Sequence, residues 1–203
     1  MEGLPSARRA GFVLAGGESS RMGRDKALLA CGSGTLLEQV AAQVAAAAGS
    51  ATVVGGANRY RALGLPAIED TAEGCGPLAG ICAALAATAA PWNLVVACDM
   101  PALTADFLAR LLERAESCGG DSLIPVSSAG RLEPLCAAYH RDALPRLSRA
   151  LGRGVLALHD AVPGPRTVLW RVPDLAHFAN LNTPEDLFRH AALPEGSPAR
   201  SAR

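Results

Sequence analysis

The chain has 203 residues, half of them hydrophobic, and its 19 acidic side chains balance 19 lysines and arginines. This length suits one domain with a substantial core, and the neutral charge, without a basic block or an aromatic stripe, argues against nucleic-acid binding. The first apolar run is too short for a signal-peptide core or a membrane span, so we expect a soluble, cytoplasmic protein with no membrane partner.

Short apolar runs alternate along the chain with longer helical patterns. The predicted strands are residues 11–15, 51–54, 66–68, 93–98 and 121–125, then an antiparallel strand at 131–139 and a further strand at 166–172. The predicted helices are residues 35–48, 77–89 and 104–117, with a last short helix opening at 182–186. This alternation is typical of β-α-β units around a parallel sheet, with helices covering its faces. We expect one α/β domain over residues 1–192 and a disordered tail over 193–203.

Two signals define the first helix. Thr35 and Glu38 have the spacing of a capping box, and Gly49 is a typical helix stop.

Lys26 is the only lysine of the chain, and it ends a glycine-rich stretch that directly follows the first predicted strand. Glycines such as Gly16 and Gly17 let backbone amides approach an anion, while Arg21 and Lys26 bring positive charge. A lysine ammonium is a compact point charge that suits phosphate oxygens. The stretch is neither a Walker A loop nor a G-x-G-x-x-G fingerprint, but it predicts a phosphate-binding loop.

Two acidic residues follow predicted strands. Asp99 comes directly after the apolar strand 93–98, at the sheet edge where ligands bind in open α/β folds. By itself it could equally be a turn or cap residue, but beside a phosphate loop it is a candidate ligand for Mg²⁺. Asp70 precedes a second glycine-rich segment that reaches Gly80; the helix terminus there could face an anion, or the glycines could serve only a sharp turn.

Residues 14–26 read L-A-G-G-E-S-S-R-M-G-R-D-K and fill every fixed position of the signature L-A-G-G-x-S-x-R-M-G-x-D-K. The chain thereby resembles the MobA-like nucleotidyltransferase family, headed by molybdenum cofactor guanylyltransferase. Four further segments match in order, at residues 76–80, 98–101, 133–139 and 180–186.

This resemblance implies a Rossmann-like nucleotidyltransferase fold and a Mg²⁺-dependent enzyme. The enzyme would transfer GMP from GTP to the phosphate of molybdopterin, forming the guanine dinucleotide cofactor and releasing pyrophosphate. Cofactor-insertion proteins or molybdoenzymes would be transient partners.

The resemblance also implies a role for individual residues. The catalytic group comprises Lys26, Arg21 and Asp99, of which Asp99 holds the metal. The nucleotide-binding group comprises Leu14, Ala15, Gly16, Gly17, Lys26, Asn58, Asp70, Gly80 and Asp99. Asn180 and Asn182 would lie near the metal and the acceptor. The chain departs from the pattern at Gly56, which aligns with an Asn that guanylyl members often carry near the nucleotide, and for this reason Asn58 is the predicted contact.

Three alternatives stay open. The enzyme could transfer a cytidylyl group to the same pterin, or a nucleotide to another phosphorylated acceptor, or the protein could carry a nucleotide or cofactor without catalysis. Cytidylyl relatives more often have Leu-Ala-Ala-Gly in the loop and Asp-x-Asp-Thr-Pro near the end, whereas this chain has Leu-Ala-Gly-Gly and Asn-Leu-Asn-Thr-Pro. Both features favour guanine, and a carrier would have no need of a metal-binding carboxylate.

Overall fold

The computed structural model describes residues 8–15, 25–70, 75–173 and 178. Their β-strands are Arg9–Leu14 (β1), Ala30–Cys31 (β2), Gly34–Thr35 (β3), Thr52–Val54 (β4), Ala67–Ile68 (β5), Trp92–Ala97 (β6), Ser122–Val126 (β7), Cys136–His140 (β8) and Thr167–Arg171 (β9). Their α-helices are Leu36–Ala48 (α1), Pro77–Ala86 (α2), Ala105–Ser117 (α3), Leu144–Gly152 (α4) and Leu158–Ala161 (α5). The predicted helix opening at 182 and the predicted tail lie outside the described residues.

The main sheet has seven strands in the order β5-β4-β1-β6-β8-β7-β9. Strands β5, β4, β1 and β6 are parallel to one another, and β9 is parallel to β7. Only β8 runs antiparallel to its neighbours β6 and β7 among the described strands of this sheet. The prediction of a mostly parallel sheet is therefore confirmed.

Helices cover both faces of the sheet. Successive side chains of a strand point to opposite faces, and the core divides accordingly. Val13 and Leu94 pack in the cluster that contains α1 and α3, whereas Phe12 and Val95 pack in the cluster that contains α2, α4 and α5. Helix α1 lies close against β1 because Gly11 has no side chain; a Cβ there would collide with the Ser50 carbonyl oxygen and the Val44 side chain.

Local signals predicted α1 well. Thr35 caps the helix by accepting from the Glu38 amide, and Glu38 accepts from the Thr35 amide at 2.8 Å. Gly49 ends the helix at a φ of +82°, in the left-handed region that glycine adopts without strain.

In the second half of the chain, one predicted strand needs correction, and helices α4 and α5 were not predicted. The predicted strand 131–139 begins only at Cys136, because Ser127 and Arg131 close a turn and Pro134 has no amide hydrogen to pair. Helix α4 was not predicted, although Leu144, Leu147 and Leu151 recur at helical spacing with Pro145 in the first turn. Helix α2 also ends at Ala86 rather than at residue 89.

We also searched the helices for a membrane span. No helix in the described part of the chain is long and apolar enough to cross a membrane.

Candidate active site

A cavity of about 250 Å³ opens at the carboxyl ends of β1, β4 and β6. Leu14, Val54 and Ala97, at the ends of these strands, line it. Ligands bind at this edge in open α/β sheets, beside the point where the strand order reverses. The other residues that line the cavity are Ala15, Asp25, Lys26, Ala27, Asp70, Gly76, Pro77, Gly80, Cys98, Asp99 and Leu135.

Lys26 and Asp99 meet in this cavity. The Lys26 ammonium donates to Asp99 Oδ2 at 3.0 Å, across 73 positions of sequence. Both side chains are mostly buried, with 16% of Lys26 and 24% of Asp99 exposed. Lys26 begins a short 3₁₀ turn over Lys26–Leu28, and Asp99 lies two residues beyond Ala97, the last residue of β6. The fold thus brings together two of the three residues that the sequence analysis assigns to the catalytic group.

A second group of side chains holds the Lys26 turn. Asp25 caps it by accepting from the Ala27 amide at 3.1 Å. The Asp25 carboxylate also lies within 3.0 Å of the Tyr60 hydroxyl and 3.3 Å of an Arg59 nitrogen. Sequence reasoning missed Tyr60; its only signal was an aromatic residue in a loop that follows a parallel strand.

Helix α2 brings its amino end to the same cavity. Gly76 caps the helix at a φ of +69°, and Pro77 occupies its first turn. Gly80 faces β1, because a Cβ there would lie 3.2 Å from Leu14 Cδ2 and 3.8 Å from Asp70 Oδ2. The amide groups at a helix amino terminus carry partial positive charge, so this end of α2 suits an anion.

The thiol of Cys98 lies beside the ion pair. Burial, together with the negative charge of Asp99, raises the pKa of Cys98 to about 12. The thiol therefore stays protonated near neutral pH and offers no thiolate as a nucleophile.

Asp99 is the best-placed candidate metal ligand. Among the described residues, no group of three or more His, Cys, Asp or Glu side chains could enclose a metal ion. Mg²⁺ needs no such enclosure, because it is often held by one or two carboxylates with substrate phosphate oxygens and water. The carboxylates of Asp99 and Asp70 both line the cavity and fit this requirement.

The remaining predicted residues are placed as follows. Leu14, Ala15, Asp70 and Gly80 line the cavity with Lys26 and Asp99. Asn58 is exposed, accepts from an Arg61 nitrogen at 3.3 Å and is not among the lining residues. Its contact with a nucleotide stays a prediction, and Gly16, Gly17, Arg21, Asn180 and Asn182 lie outside the described part of the chain.

Comparison with known proteins gives the family. The sequence model of a protein family, the MobA-like NTP transferase domain, matches residues 11–164. This range includes every lining residue of the cavity. The chain belongs to the MobA-like NTP transferase family. This confirms the predicted family, and the protein is a nucleotidyltransferase.

Relatives of the MobA-like family match nearly the whole chain. It is 38% identical to the molybdenum cofactor guanylyltransferase of Rhodobacter capsulatus, over 90% of this chain and 94% of that protein. It is 37% identical to the probable molybdenum cofactor guanylyltransferase of Deinococcus radiodurans, over 86% of this chain and 90% of that protein.

Solved structures agree on the fold. Molybdopterin-guanine dinucleotide biosynthesis protein A of Archaeoglobus fulgidus superposes with a TM-score of 0.76 and 29% identity, over 89% of this chain and 95% of that one. A 2-C-methyl-D-erythritol 4-phosphate cytidylyltransferase of Thermus thermophilus, 21% identical, superposes with a TM-score of 0.64 over 88% of this chain and 95% of that one. The predicted Rossmann-like nucleotidyltransferase fold is confirmed.

Proposed function

We propose that this MobA-like transferase moves GMP from GTP to the phosphate of molybdopterin, in a Mg²⁺-dependent reaction that releases pyrophosphate. Its relatives include a molybdenum cofactor guanylyltransferase and a probable one, and this similarity supports the same role for this protein. The structural observation that carries the proposal is the 3.0 Å contact between Lys26 and Asp99, inside a cavity at the ligand-binding edge of the sheet.

The proposed reaction needs no nucleophile from the protein. The phosphate of molybdopterin attacks the α-phosphorus of GTP, the new phosphoanhydride bond forms, and pyrophosphate leaves with the bonding electron pair. Transfer of this kind depends on alignment of the reacting groups and on neutralisation of charge at phosphate oxygens. A neutral Cys98 thiol is compatible with such chemistry, because no covalent enzyme intermediate is required.

We assign this neutralisation to charged side chains, to backbone amides and to the bound ion. Lys26 and Arg21 would pair with phosphate oxygens, together with amides of residues 16 and 17 and the amino end of α2. Asp99 would hold Mg²⁺, assisted by Asp70; when bound, the ion offsets charge on the phosphate oxygens. Asn180 and Asn182 are proposed to contact the acceptor, and Asn58 the nucleotide.

Thermal stabilisation by nucleotides tests this proposal without the unstable pterin. A ligand that binds only the native state raises the melting temperature. GTP should stabilise the protein more than CTP, ATP or UTP, Mg²⁺ should increase the effect, and Lys26→Ala should abolish it. Arg9→Ala, at the opposite end of β1, is the control and should keep the GTP response.

A measurement of pyrophosphate release completes the test. Pyrophosphate should be released only when GTP, Mg²⁺ and molybdopterin are all present. A preference for CTP would replace the guanylyl proposal with the cytidylyl alternative, and binding without pyrophosphate release would favour a carrier.

A further inference from the structure

The β7–β8 loop, which we define as residues 127–135, lies at the same edge of the sheet as the cavity. Strand β8 is antiparallel to both β6 and β7, so the carboxyl ends of β6 and β7 share one edge. The last residue of the loop, Leu135, lines the cavity, and its carbonyl oxygen accepts from the Ala97 amide at 2.8 Å. The loop therefore borders the cavity on the side away from β4 and β5.

Hydrogen bonds hold the backbone of the β7–β8 loop. The Ser127 amide donates to the Arg131 carbonyl oxygen at 2.9 Å, and the Ser127 hydroxyl accepts from the Arg131 amide at 3.1 Å. The buried hydroxyl of Tyr139 donates to the Pro134 carbonyl oxygen at 2.7 Å. The two charged residues of the loop, Arg131 and Glu133, thus stand on a backbone with defined contacts at both ends.

Glu133 orients the side chain of Arg131. The Nε group of Arg131 donates to Glu133 Oε1 at 2.7 Å. The Glu133 side chain is only 6% exposed, whereas the Arg131 side chain is 63% exposed. Burial raises the pKa of Glu133, and the hydrogen bond and positive charge of Arg131 oppose this rise. Because the carboxylate is held inside the loop, it fixes the direction in which the exposed guanidinium points.

The Arg131 guanidinium keeps donors for a second anion. A guanidinium has five N–H donors, and the contact with Glu133 is made by Nε. In the part of the chain that the structure describes, no oxygen accepts from either terminal nitrogen of Arg131. The edge between these two nitrogens can donate two parallel hydrogen bonds to phosphate oxygens.

The charges of the cavity indicate which anion this would be. Lys26 is the only basic residue among the described residues that line the cavity. The acidic ones are Asp25, Asp70 and Asp99. A phosphate monoester acceptor carries a charge of about −2 near neutral pH, and it must attack in line with the leaving pyrophosphate, from the opposite side of the α-phosphorus. A cation other than Lys26 would offset the charge of the acceptor as it approaches these carboxylates.

We propose that Arg131, oriented by Glu133, binds the phosphate monoester of the acceptor on the β7–β8 side of the cavity. Arg131 is then an acceptor-binding residue, and Glu133 is its positioning residue. This inference rests on the proposed function, because it is there that the acceptor is a phosphate group.

Kinetics with each substrate varied in turn test this assignment. Arg131→Gln should raise the KM for molybdopterin about tenfold or more, because a hydrogen bond to a charged group contributes at least that factor in affinity. The KM for GTP should stay within about twofold. Arg131→Lys keeps the charge but not the planar fork, and it should recover part of the lost affinity. Pyrophosphate release measures both KM values.

Arg9→Gln provides the matched control. Arg9 also donates through Nε to a carboxylate, that of Glu116, at 2.9 Å, but it lies at the opposite edge of the sheet. This variant should leave both KM values within about twofold. Glu133→Gln keeps an acceptor for Arg131, so it should raise the KM for molybdopterin less than Arg131→Gln does. If the pair served only to stabilise the loop, the Arg131 and Glu133 variants would lower the melting temperature without separating the two KM values.

Inorganic phosphate provides a probe that needs neither GTP nor the pterin. The Nε–H groups of Arg131 and Arg9 are both hydrogen-bonded to carboxylates, which slows their exchange with water and favours their detection by NMR. Phosphate should shift the Arg131 resonance, assigned by its loss in Arg131→Gln, more than the Arg9 resonance. Chloride at the same ionic strength should not reproduce this difference. Equal responses of the two resonances to phosphate would overturn the inference.

The outcomes separate the two proposals. If no pyrophosphate is released with molybdopterin but phosphate selectively shifts the Arg131 resonance, the proposed function fails and the phosphate site at Arg131 stands for another acceptor. If GMP is transferred to molybdopterin with the same KM in Arg131→Gln as in the wild type, the inference about Arg131 is wrong and the proposed function stands.

Discussion

Two ion pairs lie at opposite ends of β1, and they differ in geometry. At the amino end, the guanidinium of Arg9 donates to both carboxylate oxygens of Glu116, at 2.9 and 2.8 Å. At the carboxyl end, Lys26 meets Asp99 through one contact of 3.0 Å inside the cavity. Each pair joins distant parts of the chain, so sequence separation does not distinguish them.

The two pairs also differ in how readily the cation can leave its carboxylate and bind another anion. A planar arginine fork on a carboxylate fixes two side chains in one arrangement, which suits a structural connection. A lysine ammonium is a point charge with rotatable donors, and it can exchange a carboxylate for phosphate oxygens with little rearrangement. We therefore expect the first pair to stabilise the fold and, under the proposed function, the second to serve a ligand.

The two ion pairs should differ most in their effect on kcat when the carboxylate of each pair is neutralised. Asp99→Asn should lower kcat by about a hundredfold or more, because a metal ion contributes several kcal/mol of charge stabilisation. Glu116→Gln should leave kcat within about twofold, as is usual for substitutions away from a site. Pyrophosphate release at limiting Mg²⁺ measures both, and a wild-type rate in Asp99→Asn would remove Asp99 from the proposed metal site.

Exchanging the cations sharpens the comparison. Lys26→Arg keeps the charge but introduces a bulkier planar fork, and kcat should fall about tenfold or more. Arg9→Lys should instead lower the free energy of unfolding by at most about 1 kcal/mol, with kcat unchanged. Kinetics and urea unfolding of the two variants test this; unchanged kinetics in Lys26→Arg would mean that Lys26 needs only its charge.

The smallest expected effect is a pH dependence of stability. The hydrogen bond from Arg9, and then its positive charge, hold the pKa of Glu116 below its usual value against the opposing effect of burial. The stabilisation is therefore complete above the ordinary glutamate pKa and is lost as pH falls through the lower folded pKa. The difference in unfolding free energy between wild type and Glu116→Gln should be about 1 kcal/mol or less near neutral pH and vanish in acid. A difference that grows in acid would contradict this assignment.

Features that depend on neighbours in sequence were predictable, and contacts between distant segments were not. The capping box of Thr35 and Glu38 was predicted because both partners lie within one turn. The position of Asp99 at the ligand-binding edge of the sheet was predicted because Asp99 follows an apolar strand. The hydroxyl contact from Tyr60 to Ala15 spans 45 positions, and nothing in the local pattern around Tyr60 indicates it.

The order of the strands in the sheet could not be predicted either, because it also depends on contacts between distant segments. The run that forms β8 shows an apolar strand, but the pattern does not say which strands lie beside it. Helix α4 is amphipathic, with Leu144, Leu147 and Leu151 at helical spacing, but it is short and closely follows β8, and this pattern was overlooked. The sequence therefore predicted the parallel strands β1, β4, β5 and β6, whereas it did not predict the place of the antiparallel strand β8 in the sheet.

The insertion of β8 between β6 and β7 has a consequence for synthesis of the protein. Strand β6 emerges from the ribosome with β1 already available on one side, but its partner on the other side, Cys136–His140, follows some forty residues later. Until then β6 presents an unpaired edge in which Asn93 is the one polar residue, and such an edge is a template for aggregation. A fragment that ends after α3 would contain Lys26, Asp99 and Tyr60 but would keep this edge open. We therefore expect a chain that stops before Cys136 to aggregate rather than to form a smaller enzyme.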